Sequence, residues 1–114
     1  MSKELIYKLL WSTIEDYVGL WELLWETNSI SSSSTSDIEL AKRVLLYFIE
    51  AGLVNLYYDK WGNDQLVEIG LQESIEIINI NKYWSPPDIN DFCVKVGSTQ
   101  KGEKYYNEEL IEDI

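Results

Sequence analysis

Few side chains in this sequence are equipped for chemistry, and their types narrow what that chemistry could be. There is no histidine and one cysteine, Cys93. Every route through an imidazole is therefore closed, including serine triads, cysteine–histidine dyads and the common zinc sites. Carboxylate pairs, a lone thiolate and oxygen-liganded metal remain. Cys93 sits between Phe92 and Val94, an apolar setting that favours an inert packed thiol over an activated one. Glu22 and Glu26 lie one helical turn apart, but acids at that spacing on an amphipathic helix ordinarily face solvent. The stretch from Asp59 to Asp64 has a passing likeness to a calcium loop, without the acid ladder and the closing bidentate glutamate such a loop needs. No glycine-rich phosphate loop is present. These residues lead to the expectation of a protein that is not an enzyme and uses neither cofactor nor metal.

Charge narrows the choice of partner. The chain of 114 residues carries 20 acids against 9 bases, a formal net charge of -11. Affinity for nucleic acid comes largely from lysine and arginine neutralising phosphates, and nine bases set among twenty acids supply little of it. The longest apolar runs, such as Leu53 to Tyr58, are too short to span a bilayer. An acidic surface is also repelled by anionic headgroups, so no membrane role is expected. A single cysteine cannot form an internal disulfide, and Lys3, Glu4 and Lys8 interrupt the run a signal peptide would need. A cytoplasmic protein is expected.

One domain over residues 1–114 is expected, with a core in 2–70 and a C-terminal extension in 71–114. Leu5, Ile6, Leu9, Leu10, Ile14 and Tyr17 fall at helical spacing and predict a first helix from about Ser2 to Asp16. After Gly19, the residues Leu20, Leu23 and Leu24 with Trp21 and Trp25 predict a second, shorter helix whose tryptophans share one face and belong to the core. The serine-rich stretch from Asn28 to Ser36 reads as a loop. Ser36 and Glu39 form a capping box that opens a third helix, closed near Ala51 by Gly52. Leu53 to Asp59 and Gln65 to Ile69, joined through Trp61–Gly62–Asn63–Asp64, predict a β-hairpin. Leu71, Ile75 and Ile78 keep helical spacing and favour a short helix, although Ile75, Ile77 and Asn79 could also alternate as a strand; irregular chain is expected from Tyr83 through Pro86 and Pro87 to Asp88, a strand from Phe92 to Val96, and a last helix capped by Thr99.

This order, most recognisably the passage of the third helix through Glu50-Ala-Gly-Leu-Val54 into a strand, resembles the winged helix-turn-helix superfamily over about Leu5 to Ile69. The segment from Thr99 to Gly102 is similar to the Thr-x-x-Gly that opens the helix after the wing in many such proteins. There the threonine caps and the glycine packs closely. The resemblance implies an α+β fold with three N-terminal helices, a β-hairpin wing and an extra C-terminal helix. It also implies DNA binding, with the third helix in the major groove. That helix offers Asp37, Glu39 and Glu50 against Lys42 and Arg43, and the two bases read more simply as a solvated face. A winged-helix transcriptional regulator is therefore the alternative.

The leading expectation is a module that binds a basic protein, because charge complementarity speeds encounter while tyrosine and tryptophan supply most of the affinity. With Leu56 and Tyr58 facing the core, alternation turns Asn55, Tyr57 and Asp59 outward beside Trp61 at the hairpin tip. The expected contact residues are Tyr57, Asp59, Trp61, Asp64 and Glu68. Tyr57 packing on a neighbouring helix and Trp61 capping the hairpin are equally open for those two rings. In size and charge the chain resembles immunity proteins that mask basic nuclease toxins, an analogy of composition and not of motif.

Overall fold

The computed structural model describes residues 3–31, 37–60, 66–86 and 92–108. The described chain is α+β. Its helices are α1 (Lys3–Glu15), α2 (Leu20–Ser31), α3 (Ile38–Glu50), α4 (Leu71–Ile78) and α5 (Gln100–Asn107), with a 3-10 turn at Asn81–Trp84. Its strands are β1 (Val18–Gly19), β2 (Val54–Lys60), β3 (Val67–Ile69) and β4 (Phe92–Ser98). No helix among the described residues is long and apolar enough to cross a membrane.

The helices follow their apolar stripes. Leu5, Ile6, Leu9 and Leu10 of α1 and Ala41, Val44, Leu45, Phe48 and Ile49 of α3 are buried, the three-and-four spacing that one helix face requires. Helix α3 stops as expected. Gly52 adopts φ +75, and the N–H groups of Gly52 and Leu53 return to the carbonyls of Ile49 and Phe48 at 3.1 and 2.8 Å, a Schellman closure. Its other end opens at Ile38. Ser36 lies outside the described residues, and the residue before the helix is Asp37, whose side chain makes no capping bond. The Asp37 backbone N–H instead donates to the side chain of Asn28 at 2.8 Å.

That bond also bears on the predicted loop from Asn28. Helix α2 continues to Ser31 because Thr27 is buried and donates its hydroxyl back to the Leu23 carbonyl at 2.8 Å, while Ile30 packs against the core. Local preference of serine and asparagine for turns yields here to tertiary burial.

The strands form one antiparallel sheet in the order β1-β4-β2-β3. The expected hairpin is present, with Leu56 opposite Ile69 and Tyr57 opposite Glu68, but β3 is an outer edge. β4 takes the place between β1 and β2, pairing with β2 from Val54–Ser98 to Lys60–Phe92. The stretch 71–114 thus supplies an inner strand of the sheet, and it adds Ile77, Ile78, Trp84, Val94 and Val96 to the core. Trp84 ends the 3-10 turn where irregular chain was expected, and its indole N–H donates to the Ile78 carbonyl at 2.8 Å.

Thr99 caps α5 by accepting the Gly102 N–H at 3.0 Å, and its own hydroxyl donates to the Gly52 carbonyl at 2.7 Å. Thr99 therefore caps α5, as expected, and also ties it to the turn after α3.

Candidate functional site

Two surfaces meet along the segment that joins α1 to α2. The first is the sheet face turned away from the core. Its central row is Gly19, Lys95, Tyr57 and Glu68, set side by side by the registers of four strands. Of the expected contact residues, Tyr57, Asp59 and Glu68 lie on this face, while Trp61 and Asp64 lie outside the described residues. The Asp59 carboxylate is met within the chain by the Lys95 ammonium at 2.9 Å, and Glu68 accepts a hydrogen bond from the Asn55 amide at 2.8 Å. Tyr57 meets the ring of Tyr17 edge to face, with centroids 5.2 Å apart. Tyr57 thus packs on Tyr17, in the link before β1 and not on a neighbouring helix, and is half-buried.

Tyr17 covers Gly97. A Cβ there would come within 2.5 Å of its ring, so the bare backbone of β4 lets an aromatic side chain cover an otherwise open strand. Trp21 lies in the same way over Gly19. Its indole N–H is buried and lies toward the Cys93 thiol. Burial pushes the Cys93 thiol above its ordinary pKa, against the opposing influence of Lys95 and the nearby Trp21 N–H. The thiol is therefore protonated at neutral pH, and a protonated thiol is a poor nucleophile.

The second surface is a solvent-open groove of about 560 Å³ between the end of α1, the link to β1 and α2. Tyr17, Trp21 and Trp25 line it together with Glu15, Asp16, Glu22 and Glu26, and neither lysine nor arginine is among its lining residues. Trp21 and Trp25 were expected in the core. Trp25 is instead 61% exposed and Trp21 half-buried, their rings packed edge to face at 4.8 Å. The leucines of α2 explain this. Leu20 and Leu23 already fill the inward side and are buried, so Trp21 and Trp25, one and two positions beyond them, turn outward. Among the described residues, the exposed aromatic rings are Trp11, Tyr17 and Trp25, and all three lie in α1, the link or α2. A smaller hollow of about 310 Å³ continues the groove across Glu26 and Ser29 to Trp11, whose ring stacks on Tyr106 at 5.2 Å.

The carboxylates of the groove are already oriented. Glu22 Oε1 accepts the Gly19 backbone N–H at 3.1 Å, and Glu26 Oε2 accepts the Ser12 hydroxyl. Among the described residues no three carboxylate or thiol groups converge as a metal site would need. The negative charge is spread along the groove instead.

Helix α3 departs from the expected solvated pair of bases. Arg43 is exposed, but Lys42 is only 7% exposed. Its ammonium donates to the Asn81 side chain and lies 3.6 Å from Glu39. The packing of α3 against α4 and the bond to Asn81, just beyond α4, hold this lysine inward, a long-range contact that helical spacing does not reveal.

Two groups near the sheet set an alkaline limit to stability. Partial burial and a 3.0 Å hydrogen bond to Glu73 push the Tyr58 phenol from 10.0 up to about 12. Between those values the unfolded chain releases a proton that the folded chain keeps, so stability falls as pH rises through that window. The Lys95 pKa is raised by its hydrogen bond to Asp59. That contribution is complete below the unfolded value of 10.5 and is lost as pH climbs through the higher folded value. Urea unfolding measured at stepped pH should show stability declining from about pH 10. Tyr58→Phe should flatten the decline and remove the latest-ionising phenol from an ultraviolet titration; an unchanged titration would place the late phenol elsewhere.

No protein-family profile, curated protein or solved structure matches the chain. The functional reading therefore rests on the chemistry of these two surfaces.

Proposed function

We propose that this protein is an acidic, non-catalytic binding module that masks a basic protein partner, with a nuclease-like toxin domain as the partner class that suits it best. The observation that carries the reading is the groove, where exposed indole and phenol rings stand beside four carboxylates without a base in the lining. Aromatic anchors beside an excess of negative charge are what a basic surface would recognise. The net charge of -11 adds long-range steering toward such a partner. The sheet face with Tyr57, Asp59 and Glu68 forms the other flank of the interface in this proposal.

In the same reading the scaffold is a winged helix adapted away from DNA. Support comes from the three N-terminal helices followed directly by β2 and its antiparallel partners. The excursion through β3, α4 and the 3-10 turn before β4 departs from a simple wing. The alternative, a DNA-binding regulator, needs a basic third helix, and the burial of Lys42 leaves Arg43 as the exposed base of α3.

A mobility-shift titration with random duplex at about 50 mM salt, where phosphate contacts count most, should show no complex. Salt-sensitive retardation there would instead support the regulator. Inhibition assays against a panel of basic bacterial nuclease toxin domains should identify at least one whose cleavage is suppressed stoichiometrically. A panel in which none is suppressed would remove the toxin-masking role.

A further inference from the structure

The groove between α1 and α2 is shaped for one kind of side chain. Resting on the basic-partner reading above, we propose that it receives an arginine-bearing segment of the partner, with Trp25 as the platform and Glu22 and Glu26 as the counter-charges. Three observations converge on arginine. The Trp25 ring is 61% exposed and is held by its edge-to-face contact with Trp21, so a planar cation can stack on it without an ordering step. Glu22 and Glu26 lie one turn apart on the same helix as Trp25, and each uses one oxygen within the chain. Each therefore has a second oxygen for an incoming donor. A guanidinium is flat, stacks on aromatic faces and presents a fork of N–H donors to carboxylates, whereas an ammonium does none of these as well.

Charge complementarity favours this occupant over a second copy of the chain. Two copies brought together at this groove would oppose eight carboxylates, four from each. Nor does the sheet face compete as the arginine site, because its Asp59 already faces Lys95 at 2.9 Å.

The probe is an octa-arginine peptide, titrated into the intact protein at about 0.1 M salt, where screening suppresses distant charge, while indole N–H signals are followed by NMR. The Trp25 and Trp21 signals should move, and that of buried Trp84 should not. Trp25→Ala and the charge-removing pair Glu22→Gln with Glu26→Gln should each weaken binding about tenfold, the scale of one desolvated cation–π contact. Both glutamines keep an acceptor for the Gly19 N–H and the Ser12 hydroxyl, so circular dichroism should stay unchanged. An octa-lysine peptide should bind several-fold more weakly. Equal affinity for the two peptides would overturn the preference for arginine. Undiminished binding by the groove variants, or a greater loss from Asp59→Asn with Glu68→Gln, would overturn the groove while leaving a basic partner in place. Absence of saturable binding to either peptide would overturn both proposals.

Discussion

Replacing Gly102 by alanine is expected to lower the melting temperature by more than about 10 °C. The sign is informative, because alanine inside a helix ordinarily stabilises by about 0.5–1 kcal/mol relative to glycine. Here a Cβ would stand 2.1 Å from the Leu53 carbonyl oxygen and 3.1 Å from its carbon. Those are backbone atoms, and they cannot swing aside. The same carbonyl accepts the Thr99 N–H at 2.9 Å, so moving it breaks the junction by which β4 and α5 meet the start of β2. Relief would require α5 to lift from the body, taking Tyr106 away from Tyr7 and Trp11. Overpacking of this kind costs about 1–3 kcal/mol and occasionally more, and a rigid obstacle belongs at the upper end. Thermal unfolding of the alanine variant followed by circular dichroism is sufficient to check it. A melting temperature equal to or above that of the parent would mean that α5 does not pack on Leu53 as described.

The second large effect is expected at Trp84. This ring is 2% exposed and is packed where the 3-10 turn meets α2 and α4. Trp84→Ala removes a large buried ring and leaves a cavity, which should cost about 3–5 kcal/mol. Trp84→Phe keeps most of the apolar contact but deprives the Ile78 carbonyl of its 2.8 Å donor, and an unsatisfied buried acceptor costs about 1–3 kcal/mol. Urea midpoints for the two variants should therefore fall in the order parent, phenylalanine, alanine. A phenylalanine variant as stable as the parent would show that the N–H contributes nothing beyond the ring. The alanine variant should also loosen α3, since Lys42 is tied to Asn81 within the turn that Trp84 anchors.

Much of the fold could be read residue by residue. The stripe of α1, the close of α3 at Gly52, the β2–β3 hairpin and the Thr99 cap depend on neighbours within a few positions, where spacing and backbone chemistry decide the outcome, whereas the spacing of Leu71 to Asn79 suited either a helix or a strand. The candidate site was less legible. Trp21 and Trp25 look like core residues because α2 is apolar around much of its circumference, and periodicity cannot rank indoles against leucines for a limited inward face. Lys42 looks solvated because nothing near it in sequence announces Asn81. The strand β1 is only two residues long, below the length at which alternation can register. Its existence depends on β4, more than seventy residues away.

By itself, the order of amino acids determined the chemical character of this protein: no imidazole, one thiol in an apolar setting, an excess of carboxylates, and helices and strands in a given succession. These follow from composition and short-range periodicity, which need no knowledge of the folded shape. Only the tertiary structure decided where the acids and aromatic rings gather. Insertion of β4 beside β2 pairs Lys95 with Asp59 and so quietens the charge on the sheet face. Competition for the inward face of α2 turns Trp25 out beside Glu22 and Glu26. Both outcomes arise from contacts between distant parts of the chain, in which a limited buried area is divided among more apolar side chains than it can hold.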